Sequence, residues 1–132
     1  MAQKFAPHVR ASIKQAAFWL LWPALAVVMY GQLAPNPEEE LPDLGWDKLL
    51  HFTAYFGLAL LAALAWGRRI QIILIFASVV TMSAIMELLQ LLVGRDAEWG
   101  DLLANTLGAG LGAGLAALLL HLARLVDARR GD

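Results

Sequence analysis

The sequence contains no cysteine, which removes disulfides, thiolate metal ligands and cysteine nucleophiles together and leaves the redox compartment undetermined. Charge is scarce as well: 16% of the 132 residues are charged, against roughly 25% in an average soluble domain. The formal net charge is −1, and with no basic excess the chain offers nothing to a nucleic-acid partner. There is no HExxH and no Gly-x-Ser-x-Gly, so the chain carries no familiar signature of a metalloprotease or serine hydrolase. An internal repeat, a low-complexity tract and a second domain are also missing, and residues 1–132 read as a single domain.

What remains is apolar. Hydrophobic residues make up 60% of the chain and the mean hydropathy is +0.62, more than a small soluble domain can keep off its surface. A hydrocarbon core about 30 Å thick needs roughly 20 apolar residues of helix. Four stretches meet or approach that length, at about 16–34, 48–66, 70–93 and 102–124. The pattern predicts an all-α membrane protein, a bundle of four transmembrane helices. The second stretch is the weakest, because its purely apolar part runs only from Phe52 to Trp66.

The few charges are sorted. Lys4, Arg10 and Lys14 precede the first segment, Arg68 and Arg69 lie between the second and third, and Arg124, Arg129 and Arg130 follow the fourth, leaving only Lys48 and Arg95 for the other side. Lys and Arg in short loops are retained on the cytoplasmic side. The asymmetry predicts both termini in the cytoplasm, a multi-pass protein of the cell (inner or cytoplasmic) membrane, and an uncleaved first helix. The terminal Arg130-Gly131-Asp132 then faces the cytoplasm, which removes an adhesion reading. The loop from Pro35 to Gly45, with Asn36-Pro37 and Leu41-Pro42 breaking any helix and the run Glu38-Glu39-Glu40 keeping it solvated, reads as a short extended connector on the outer side. Trp46 and Trp99 suit the outer interface and Trp66 the inner one.

Polar residues recur at matching places within the apolar segments. Asp47, His51 and Tyr55 are spaced i, i+4, i+8 and share one helix face. Glu87 and Gln90 lie near the end of the third segment, and Asp101 and Asn105 open the fourth, in one stripe with Gly108 and Gly112. At about 1.5 Å of rise per residue, His51 lies about 6 Å below Asp47, Asn105 about 6 Å below Asp101, and Glu87 roughly 10 Å below Gly94. Three helices thus carry polar groups at a similar depth beneath the outer surface.

Each group also has a plain structural reading. Asp47 and Asp101 each stand where an N-cap aspartate satisfies free backbone N–H groups. Capping does not extend to His51, Glu87 or Asn105, which lie deeper. A glutamate within a span is expensive and tends to be functional; its expected partners are His51, Lys48 or Arg95, or it carries a proton. The glycines read first as close helix packing within the bundle and second as a homodimer contact.

Taken together, Asp47-Lys48-Leu-Leu-His51-Phe52-x-x-Tyr55-Phe56-x-Leu58, Glu87-x-x-Gln90, Arg95 and Asp101-Leu-x-Ala104-Asn105-x-x-Gly108-x-x-x-Gly112 resemble the VanZ-like family of small membrane proteins. The resemblance covers about Asp47 to Gly112. It implies that Asp47, Lys48, His51, Glu87, Gln90, Arg95, Asp101 and Asn105 form a shared polar core. It also implies an association with the cell envelope, since the family takes its name from a protein associated with resistance to the glycopeptide teicoplanin.

Three functions fit these residues. In the first, an outward-facing pocket of Lys48, His51, Arg95 and Asn105, oriented by Asp47, Glu87 and Asp101 and lined by Tyr55 and Gln90, binds the headgroup of a cell-envelope lipid or glycolipid. In the second, a membrane-embedded hydrolase or transferase acts on a lipid-linked substrate, with His51 as general acid or base, Asp47 or Asp101 orienting it and Glu87 a second acid. A variant of this has His51, Glu87 and Asp101 ligating a divalent metal; beyond that, the residues specify no cofactor. In the third, the polar residues only fix how the helices meet, and the protein acts through a membrane partner.

Overall fold

The computed structural model describes residues 7–34 and 46–129, with the side chains of Pro7, His8, Trp46 and Arg69 outside the description. The expectations for Lys4, the Pro35–Gly45 connector, the Trp46 indole and the 130–132 tail therefore lie outside the described residues. Four helices account for nearly everything else: α1 (Pro7–Leu33), α2 (Trp46–Trp66), α3 (Arg69–Leu92) and α4 (Trp99–Arg129). All four are long and apolar enough to cross a membrane. The chain is an all-α, multi-pass membrane protein.

The helices differ from the hydropathy reading at their water-facing ends. α1 starts at Pro7, nine residues before the predicted segment, and α4 runs from Trp99 to Arg129, past both predicted limits. Hydropathy finds only the part that matches the hydrocarbon. The added turns include helix formers such as Arg10, Ala11, Lys14, Gln15, Ala128 and Arg129, which need no lipid. Proline at the first position of α1 suits the helix start, where its missing N–H is not needed. α4, at 31 residues, is about 46 Å long, well beyond the hydrocarbon thickness.

The connectors explain why neighbours run antiparallel. Two residues, Gly67 and Arg68, join α2 to α3; the Gly67 N–H closes the last turn of α2 on the Ala63 carbonyl (2.7 Å), and the Arg68 N–H donates to Gln71 Oε1 (3.0 Å) to begin α3. α3 ends at Leu92, and Gly94, just past the Val93 cap, has a φ of +79°, the left-handed conformation of a glycine that stops a helix. The Arg95 N–H then returns to the Gln90 carbonyl at 3.0 Å, the six-residue closure that marks this stop.

α2 is the hub. It packs most extensively on α4 and also touches α1 and α3. The α2–α4 seam is made by small residues: Ala59, Ala63, Ala109, Ala113 and Ala116 are buried. A Cβ at Gly108 would run into the Phe52 carbonyl oxygen, and one at Gly112 into that of Phe56. These two glycines let the backbones approach closely, as small-xxx-small patterns do in membranes. Gly110 and Gly114 do not belong to the seam: a Cβ at Gly110 would make ordinary contact with Phe76, and one at Gly114 would meet nothing within 4 Å. The large side chains Ile73, Leu74, Leu88, Leu92, Leu111 and Leu118 point outward, exposed, as lipid-facing positions should be.

α1 and α4 meet at the end where the described chain begins and finishes. Arg10 forms an ion pair with Asp127 and donates to the Ala123 carbonyl at 2.6 Å. Both side chains are about one-third exposed, 37% and 30%, and such pairs contribute about 1 kcal/mol or less. Arg10→Ala is accordingly expected to shift global stability by less than about 1 kcal/mol while speeding amide hydrogen exchange in residues 124–129. Unchanged exchange there would show that the last turns of α4 hold themselves.

Candidate functional site

The opposite end of the bundle is polar inside. Among the described residues, the buried polar and charged side chains are Gln32, His51, Ser83, Glu87, Gln90, Asp101 and Asn105, and all lie in this half together with the buried Tyr55. Every helix contributes: Gln32 from the last turn of α1, His51 and Tyr55 from successive turns of α2, Ser83, Glu87 and Gln90 from one face of α3, Asp101 and Asn105 from the start of α4. Spacings of three and four residues put each set on a single helix face.

Asn105 is at the centre and is fully buried. Its Nδ2 donates to Ser83 Oγ at 2.8 Å and to Glu87 Oε1 at 3.4 Å, while its Oδ1 faces His51 Nδ1 at 3.1 Å. One amide thereby ties α4 to α2 and α3. Gln32 brings in α1: its Nε2 is 3.4 Å from His51 Nδ1 and its Oε1 accepts from the Tyr55 hydroxyl at 3.0 Å. The free carbonyls at the end of α1 are also satisfied here. Arg95 Nη1 donates to the Gly31 and Gln32 carbonyls at 3.2 and 3.3 Å, and Gln90 Nε2 donates to the Gln32 carbonyl at 3.3 Å. A cation at a helix C-terminus is favourable because carbonyl dipoles converge there, and this contact holds Gln32 in place.

Lys48 closes the rim. Its Nζ lies 2.8 Å from Glu98 Oε2 and 3.2 Å from Asp101 Oδ1. The aliphatic stem crosses Gly100, where a Cβ would come within 2.7 Å of Lys48 Cε. Glycine at 100 therefore gives the lysine its route to the carboxylates. Beside it, His51 Nε2 is 3.7 Å from both Asp47 Oδ1 and Asp101 Oδ2, and ligand atoms of Asp47, His51 and Asp101 all lie within 4.8 Å of one another.

The structure revises several residue-level expectations. Asp47 and Asp101 stand inside the first turns of α2 and α4, not at N-caps. Glu98 takes the position before α4, its carbonyl accepting from the N–H groups of Asp101 (3.1 Å) and Leu102 (3.3 Å). Glu87 draws its hydrogen bond from Asn105, Lys48 is engaged by Glu98 and Asp101, and Arg95 reaches α1. The cluster suited to a metal pairs Asp47, and not Glu87, with His51 and Asp101. Two buried acceptors, Glu87 Oε2 and Gln90 Oε1, have no hydrogen-bond partner among the described residues, a costly state inside a protein.

Sequence reasoning missed Gln32, Ser83 and Glu98. Ser83 was findable, being four residues before Glu87 on the same face. Gln32 had a weaker signal, an amide at the end of an otherwise apolar helix. Glu98 looked like one more loop charge.

Neither a curated protein nor a solved structure matches the chain. A family model described as VanZ/LLP1 matches residues 6–120. That match begins one residue before α1, so it takes in Gln32 and extends well beyond the stretch from Asp47 to Gly112.

Proposed function

Since the chain belongs to the VanZ/LLP1 family, we propose that it is an integral protein of the cell membrane whose polar end binds the headgroup of a cell-envelope lipid or glycolipid from the outer leaflet. The charge distribution supports the orientation. Arg10, Lys14, Arg68, Arg69, Arg124 and Arg129 lie at the end shared by the Arg10–Asp127 pair, against Lys48 and Arg95 at the polar end, which favours cytoplasmic termini.

The observation that carries the reading is the pair of unbonded buried acceptors, Glu87 Oε2 and Gln90 Oε1, in a network built from all four helices. Acceptors call for donors. The acids Asp47, Glu87, Glu98 and Asp101 outnumber Lys48 and Arg95 at this end, so the site is poorly suited to trapping a bare anion and well suited to the hydroxyl groups of a sugar or polyol headgroup. Lys48 adds a charged donor at the rim, and charge-assisted contacts of this kind are the strong ones. A role in envelope or glycopeptide response would act through that ligand.

Native mass spectrometry of the protein extracted in mild detergent tests the proposal. Wild type is expected to retain a lipid with a hydroxylated headgroup, and a His51→Ala, Glu87→Gln double variant of unchanged helix content is expected to lose it. The same lipid on both proteins, or none on wild type, overturns the reading.

A further inference from the structure

From the geometry around His51 we infer that Asp47, His51 and Asp101 form a binding site for a divalent transition cation, of which Zn2+ is the natural probe. His51 is buried, with 5% of its surface exposed, and its two ring nitrogens have different surroundings. Asn105 turns its amide nitrogen toward Ser83 and Glu87, so its Oδ1 faces His51 Nδ1 at 3.1 Å and accepts the proton carried there. The Gln32 amide nitrogen is a longer neighbour of that N–H, at 3.4 Å. A neutral ring protonated on Nδ1 presents its lone pair at Nε2. A carboxamide or carboxylate fixing the far nitrogen of a ligating histidine is the usual outer-shell arrangement of a metal site.

Nε2 points between two carboxylates without bonding to either. Asp47 Oδ1 and Asp101 Oδ2 are each 3.7 Å away, beyond hydrogen-bond length. Three electron-pair donors thus face one another, within 4.8 Å overall. Around a tetrahedral zinc with ligands at about 2.0–2.1 Å, neighbouring donor atoms stand about 3.3 Å apart. The two edges from the histidine need to shorten by about 0.4 Å to meet that spacing, and the edge between the carboxylates, at most 4.8 Å, by up to about 1.5 Å. Asp101 divides its oxygens accordingly: Oδ1 is held by Lys48 at 3.2 Å, and Oδ2 faces the histidine. One imidazole nitrogen and two carboxylate oxygens make a mixed set that suits zinc or manganese better than the oxygen-only cages of calcium. Three protein donors leave at least one coordination position for water or a headgroup oxygen. The inference stands apart from the lipid reading, because it concerns the three side chains and not what lies above them.

The test is calorimetric titration of Zn2+ into the full chain, purified in detergent and stripped with a chelator. Wild type is expected to take up one equivalent. His51→Ala and the nearly isosteric Asp101→Asn are each expected to weaken binding by at least about tenfold, since even outer-shell changes at metal sites cost ten- to a hundredfold. Asp96→Asn, which removes an exposed acid at the same end, is expected to leave affinity unchanged. No saturable uptake by wild type, or equal affinity in wild type and folded Asp101→Asn protein, overturns the site and leaves the cluster a packing contact between α2 and α4. Because the titration contains no lipid, its outcome is independent of the native mass spectrum.

Discussion

Gly112→Leu is expected to prevent the bundle from assembling, and Gly112→Ala to destabilise it by about 1–3 kcal/mol, the usual penalty of overpacking. The reason is what the new atoms would strike. A Cβ at Gly112 meets the Phe56 carbonyl oxygen and its carbon, and one at Gly108 meets the equivalent atoms of Phe52. These are backbone atoms of a neighbouring helix, with no rotamer to escape into, so the only relief is separation of α2 from α4. That separation would open the Ala59, Ala63, Ala109, Ala113 and Ala116 seam along its length. Gly114→Ala is the internal control. Nothing lies within 4 Å of its Cβ position, and alanine should gain up to about 1 kcal/mol of helix propensity there. Unfolding in sodium dodecyl sulfate, followed by tryptophan fluorescence, measures all of these. Equal stability of the Gly112→Ala and Gly114→Ala proteins would show that α2 and α4 do not meet through Gly112.

Asn105→Leu should be the most damaging change that keeps the number and branching of side-chain heavy atoms. It removes the partner of His51 Nδ1, Ser83 Oγ and Glu87 Oε1 at once. Hydrogen bonds between helices in a membrane average about 0.6 kcal/mol and reach about 1.7, so three together are on the order of 2 kcal/mol. The larger consequence is chemical. His51 loses the group that fixes its tautomer, and Glu87 loses the Asn105 amide as a donor, so both lipid retention and Zn2+ binding should fall together. Thr106→Val, one position on, is the comparison. Its hydroxyl bonds to the Leu102 carbonyl of its own helix at 2.7 Å, and its loss should cost a few tenths of a kcal/mol and spare both ligands. An Asn105→Leu protein as stable as wild type that still binds Zn2+ would remove Asn105 from the centre of the network.

Much of the architecture was legible because lipid is an exacting solvent. Four apolar runs of sufficient length admit little besides four helices, and the few charges announce themselves against that background. What stayed hidden is tertiary. α2 looked weakest because Phe52–Trp66 is short for a span, yet it is the hub, and its polar first turn is engaged by Gln32 of α1, by Glu98 and by the start of α4. Its apolar length matters little when other helices cover it. Depth could be counted from the helical rise, and it put the polar groups of α2, α3 and α4 at one level; the turn of each helix about its axis could not. Without that angle, Glu87 and Asp47 were interchangeable as neighbours of His51, and Gln32 had no visible reason to matter. Helix ends also escaped, because α1 and α4 continue into water, where hydropathy carries no signal.

The seam between α2 and α4 has a consequence for traffic through the molecule. Beneath Ser83 and Tyr55, the described buried side chains are Leu21, Leu58, Val79 and a series of alanines, and the glycine contacts bring backbone against backbone with no channel between them. A proton or ion that reached His51 would find no further relay toward the opposite end. The polar end is therefore closed off from the opposite end by a layer of apolar side chains among the described residues. On the proposed reading a headgroup bound there would enter and leave at the same end of the bundle, and any signal that crosses would travel as a shift of helices rather than as a conducted particle.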